Sequence, residues 1–110
     1  MTFYSKLYCD ETIQKKKKKI IRKIRRNAGQ LGVYVIALSK GSDLFDIFHV
    51  GMLKQKYFPK EELHIIGLAS SYEMAVKLVV HMVTDFVAAY GTWQFKEKLL
   101  VLEEATWRSY

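Results

Sequence analysis

Two short apolar segments, LGVYVIAL at 31–38 and LHIIGLA at 63–69, constrain the fold of this chain more than any other feature. Both are rich in β-branched residues and nearly free of polar ones, which is typical of strands that are covered on both faces. Half of the 110 residues are apolar, and this length and composition suit one globular domain. We therefore expect a small α/β protein with a single domain over 1–110.

The segments around these strands have the apolar spacing of helices. Three helices are predicted, over 10–28, 43–56 and 71–90. Two apolar strands joined through a helix form a right-handed unit with parallel strands, so we predict a βαβ core over 31–69. The predicted order is α-β-α-β-α, followed by a C-terminal segment, 93–110, that suits either a helix or an edge strand.

Polar residues and glycines mark the ends of these helices. Asp10 is a good N-cap for the first helix, because a carboxylate accepts hydrogen bonds from free backbone N–H groups. Ser70 and Glu73 have the spacing of a capping box at the start of the third helix. Gly91 stands where a left-handed residue would end that helix.

Two strands make too narrow a sheet to be stable, so further strands are needed. A third strand is predicted from residues 2–8, from residues 98–103, or from a second copy of the chain. Apolar side chains cover well over half the circumference of the third helix, which is more than one sheet face can hide. This excess favours a homo-oligomer, with a homodimer as the simplest form.

The positive charge of the chain is concentrated in its N-terminal third. Nine of the eighteen Lys and Arg residues lie in QKKKKKIIRKIRR at 14–26. Residues 1–31 carry a formal charge of +8 and residues 32–110 carry −1, which gives the net charge of +7. A nearly neutral body with one basic element is the charge distribution expected of an electrostatic binding surface.

A helix over 10–28 would separate this charge from a buried apolar stripe. Positions at 100° intervals place four isoleucines and Ala28 on one side, with Lys17 at the edge of that stripe. The long side chain of Lys17 should lie along the core boundary with its ammonium group in water. The opposite side carries the six predicted nucleic-acid-binding residues, Lys15, Lys18, Lys19, Arg22, Arg25 and Arg26.

Three functions are compatible with this pattern. The first is a binding or regulatory protein whose basic helix contacts nucleic-acid phosphates, or another polyanion, with little sequence preference. The second is a protein-interaction module or assembly subunit that uses the third helix and the C-terminal segment, with the basic helix as a solvated face that aids solubility. The third is a small-anion site or enzyme at the turns 39–43 and 67–71, with Lys40 and Ser71 as its candidate residues.

Other chemistry has little support in the sequence. His49, His64 and His81 lack the spacing of metal ligands, and the single cysteine, Cys9, has no adjacent base, although a thiol at a helix N-terminus can have a lowered pKa. We therefore expect no catalytic residue, no metal and no cofactor, and a non-enzymatic role is favoured. No segment has the length of a membrane span or the pattern of a signal peptide, so we expect a cytoplasmic protein.

Overall fold

The computed structural model describes residues 1–30, 32–39, 44–58, 60–91, 94 and 107–108. The strands are β1 (Thr2–Cys9), β2 (Tyr34–Leu38), β3 (Phe45–His49), β4 (His64–Ala69) and β5 (Trp107–Arg108). The helices are α1 (Glu11–Gln14), α2 (Lys17–Arg25) and α3 (Tyr72–Tyr90). Two short 3-10 helices cover Val50–Lys54 and Lys60–Glu62.

The strands form one mixed sheet in the order β3-β2-β4-β1-β5. Only β1 and β4 run parallel, whereas β2 is antiparallel to both β3 and β4, and β5 is antiparallel to β1. The two predicted central strands are therefore confirmed, and residues 2–8 supply a further strand as one of the three alternatives proposed. The alternative strand at 98–103 lies outside the described residues.

The prediction of a helix over 43–56 is wrong. The predicted βαβ core, which depends on that helix, is therefore wrong as well. Residues 45–49 form β3, which pairs directly with β2 as its antiparallel neighbour. Phe45 and Ile47 pack in the core on one face of the sheet, and Phe48 packs in the core on the other. A strand that buries apolar side chains on both faces mimics helical spacing over a short window, and periodicity alone does not distinguish the two. The order is consequently β-α-α-β-β-β-α-β.

Helices cover both faces of the sheet, giving three layers. Consecutive strand residues such as Val35 and Ile36 belong to two separate buried clusters, as strand alternation requires. One cluster contains the four buried isoleucines of α1 and α2, namely Ile13, Ile20, Ile21 and Ile24. The other contains the buried face of α3, including Ala75 and Met82. The predicted isoleucine stripe thus faces the core.

The parallel strands β1 and β4 end side by side, and Asp10 joins the two chain segments that follow them. Its Oδ1 accepts a hydrogen bond from Ile13 N at 2.9 Å, so the predicted N-cap is confirmed. Its Oδ2 accepts hydrogen bonds from both the backbone N and the hydroxyl of Ser70, at 2.6 and 2.8 Å. This one carboxylate therefore caps α1 and fixes the β4–α3 turn.

The caps of α3 agree with the sequence only at its C-terminus. Gly91 has a φ of 67° and ends the helix in the left-handed region, as predicted. The prediction of a capping box formed by Ser70 and Glu73 is wrong. The N-cap is Ser71, whose side-chain oxygen accepts a hydrogen bond from Met74 N at 3.1 Å. Ser70 is engaged by the distant Asp10, a partner that local spacing does not reveal.

Candidate functional site

The basic segment is divided into two helices instead of the one predicted over 10–28. The chain leaves the helical path at Lys16, which has φ −122° and ψ 17° and whose N–H donates to Ile13 O at 2.9 Å. Five successive lysines at 15–19 repel one another, which disfavours an unbroken helix at this point. The helix α2 ends before Asn27, which adopts a left-handed φ of 57°.

The six predicted cations all lie on the exposed side of this segment. Lys17 is half-buried, as its position at the edge of the apolar stripe predicts. Burial of Ile20, Ile21 and Ile24 beneath α2 fixes the rotation of the helix and therefore the direction of its charged side chains. The orientation of the basic surface is set by the core.

The same side chains line a broad, open groove of about 1180 Å³. It runs along α1 and α2 and reaches Ser5 on β1. All six predicted cations contribute to it, together with three neighbouring residues of the lysine run and its flank, Gln14, Lys16 and Lys17. A concave surface of this kind concentrates the positive field more strongly than an isolated helix face.

Among the described residues, no acid forms an ion pair with the cations of this groove. Within the described part of the chain, none of the six cations makes an ion pair, and the ion pairs that are present, Lys77–Glu73 at 3.6 Å and His81–Asp85 at 3.3 Å, lie on α3. The first turn of α2 contains no acidic residue, although the positive end of the helix dipole is there. Like charges one turn apart also repel. Repulsion between these like charges therefore lowers the stability of the segment.

A second group of basic and aromatic residues, 54–57, follows β3 and was not among the predicted site residues. A Cβ built on Gly29, four residues after α2, would lie 3.1 Å from Lys54 Nζ, so the side chain of Lys54 reaches the segment that follows α2. Two residues after Lys54, the Nζ of Lys56 lies 5.6 Å from the ring centroid of Tyr57. Tyr57 is 89% exposed. The interleaving of basic and aromatic residues in KQKY, 54–57, was the available signal.

No family model, curated protein or solved structure matches this chain. The function is accordingly inferred from the site itself.

The turn after β4 does not offer a free anion site. Both the backbone N–H and the hydroxyl of Ser70 already donate to the Asp10 carboxylate, which occupies the position an anion would take. Ser71 is engaged as the N-cap of α3. Lys40 and residues 41–43 of the other candidate turn lie outside the described residues.

Two reactive side chains, Cys9 and Tyr8, have raised pKa values. Burial raises the pKa of the Cys9 thiol to about 11, in spite of the opposing effect of Lys17, so its place beside a helix N-terminus does not lower the pKa. Burial and the carboxylate of Asp85 raise the pKa of Tyr8 to about 12, and the Tyr8 hydroxyl donates to Asp85 Oδ2 at 3.2 Å.

The described ranges contain no group of three or more His, Cys, Asp or Glu residues placed to hold a metal ion. Among the same residues, no helix combines the length and the apolar character needed to cross a bilayer.

Proposed function

We propose that this protein is a non-enzymatic binding protein that holds nucleic acid by its phosphate backbone in the basic groove of α1 and α2. One observation supports the proposal most directly. All six predicted cations line one open groove, and none is paired with an acid in the described part of the chain. The nine residues of α2 span about 14 Å. Duplex DNA carries one charge per roughly 1.7 Å of its axis, so several phosphates fall within this length.

The composition of the groove favours binding with little sequence preference. Among the described residues that line it, Gln14 and Ser5 are the only uncharged polar ones. Base edges are read by side chains that both donate and accept hydrogen bonds, whereas Lys and Arg in a row mainly neutralise phosphates. We further propose that the protein acts in the cytoplasm, a reducing compartment that suits its single free thiol, Cys9.

The salt dependence of binding tests this proposal. If four to six cations contact phosphates, log Kobs for a duplex should fall against log[salt] with a slope between about −3.5 and −5.5. For a single strand the slope should lie between about −3 and −4. Fluorescence anisotropy with labelled oligonucleotides measures both slopes. Absence of binding to either form at about 50 mM salt would refute the proposal, since electrostatic binding is strong there.

A homo-oligomeric assembly subunit is the second candidate, and the outer surface of α3 favours it. Val76, Val80 and Val87 are 42, 61 and 41% exposed, and Tyr72 and Tyr90 extend the same stripe. Contiguous exposed apolar side chains on one helix are typical of protein contacts. Light scattering after size-exclusion chromatography should then give twice the monomer mass, and Val80→Glu should give the monomer. A monomeric wild-type protein contradicts this candidate.

A further inference from the structure

We propose that the groove takes single-stranded nucleic acid and that Tyr57 stacks on one of its bases. This inference rests on the proposed function and names the form of nucleic acid that the site accepts. The first support is that Tyr57 is 89% exposed and that the Lys56 ammonium lies 5.6 Å from the centroid of its ring. Such a ring beside a cation is the element that single-strand binding proteins use to hold a base while its phosphate is neutralised.

The second support is that Tyr57 lies on the same side of the sheet as the basic groove. Its neighbour Phe58 packs against the buried cluster that contains the isoleucines of α2. Lys54 comes within contact distance of the segment just after α2, at Gly29. Three residues span at most about 11 Å between Cα atoms, so Tyr57 lies within that distance of the Lys54 backbone and Arg26 within that distance of Gly29.

These positions define a path for one strand. Phosphates would follow the cations of α2 towards its C-terminal end, continue past Lys54, and bring a base to the ring of Tyr57. A base within a duplex is paired and stacked between its neighbours, so its face is closed to a side chain. Only an unpaired base can stack on the ring of Tyr57 while the phosphates contact the cations. The site should therefore select single-stranded nucleic acid.

An abasic strand separates the two kinds of contact, because it keeps every phosphate and lacks bases. We compare an oligothymidine of about 12 nucleotides with an abasic deoxyribose-phosphate strand of equal length, by competition against a labelled strand. The wild-type protein should bind the oligothymidine at least about fivefold more tightly, which is the lower range of one base–aromatic stack. Tyr57→Ala should abolish this preference and leave abasic binding unchanged, and Tyr57→Phe should keep it.

Tyr72→Ala is the matched control, since Tyr72 is an exposed tyrosine on α3, at the opposite face of the sheet. It should leave the preference intact. Two results would overturn the inference and leave the proposed function standing. One is equal binding of the two strands by the wild-type protein. The other is an equal loss of the preference for oligothymidine in the Tyr57→Ala and Tyr72→Ala variants. Failure to bind either strand at about 50 mM salt refutes the proposed function itself. Thermal melting of each variant confirms that the exposed substitutions leave the fold unchanged.

Discussion

Replacing Asp10 with alanine is expected to lower the free energy of unfolding by about 3 kcal/mol, with a Tm lower by roughly 10 °C or more. Asp10 is only 5% exposed, and its two oxygens accept hydrogen bonds from Ile13 N, Ser70 N and the Ser70 hydroxyl. Alanine leaves these donors without an acceptor in a region that water barely reaches. The loss exceeds that of an ordinary N-cap, about 1 kcal/mol, because two chain segments 60 residues apart are released together.

Two substitutions control for this effect. Asp10→Asn retains one acceptor oxygen but has no charge, so its loss should be intermediate. Asp46→Ala removes an exposed carboxylate from the edge strand β3 and should change stability by less than about 0.5 kcal/mol. Thermal or denaturant unfolding of the three variants ranks them. Equal stability of Asp10→Ala and Asp46→Ala would show that the Asp10 hydrogen bonds are dispensable.

The pH dependence of the same variants follows from the pKa of Asp10. Burial raises that pKa, but the hydrogen bonds from Ile13, Ser70 and Thr12 more than offset burial and hold it below its usual range. The unfolded chain therefore takes up a proton at higher pH than the folded one, and acid favours unfolding. The stability advantage of wild type over Asp10→Asn should be complete above about pH 4, the pKa of an unfolded aspartate, and should shrink as pH falls through the lower folded value.

The parts of the fold that were predicted correctly depend on local chemistry. The apolar runs became β2 and β4, and Asp10 became a cap because the free N–H groups of a helix lie beside it. The parts that were wrong depend on partners far along the chain. Residues 45–49 form a strand because β2 provides an edge for pairing, and Ser70 turns away from α3 because Asp10 accepts its hydrogen bonds. Neither partner can be identified from a short window of sequence.

The candidate site was predicted in part for the same reason. A helical period and four isoleucines were enough to place Lys15, Lys18, Lys19, Arg22, Arg25 and Arg26 on one face, and the core packing preserves that face. The period did not reveal the turn at Lys16, where mutual repulsion of neighbouring lysines opposes a continuous helix. The proximity of Lys54 to Gly29 was missed because it joins segments distant in sequence.

Replacing the six cations with glutamine should separate binding from folding, because the two properties are expected to change in opposite directions. The formal net charge falls from +7 to +1, and nucleic-acid affinity at about 50 mM salt should fall at least 100-fold as the phosphate contacts are lost. Stability should rise by about 1 kcal/mol, because the relief of repulsion between cations one turn apart outweighs the loss of the favourable charges of Arg22 and Arg25 at the C-terminal end of α2. Anisotropy titration and thermal unfolding on the same preparations measure both changes.

A charge-matched pair of double variants distinguishes the groove from net charge alone. Arg22→Gln with Arg25→Gln removes two charges from the groove, and Lys6→Gln with Lys77→Gln removes two from the α3 side of the sheet. If the groove contacts phosphates, the slope of log Kobs against log[salt] on a duplex should become less negative by nearly two units in the arginine variant. In the lysine variant the slope should be unchanged. Equal slopes in the two variants would mean that binding depends on the net charge of the protein and not on contacts made by α2.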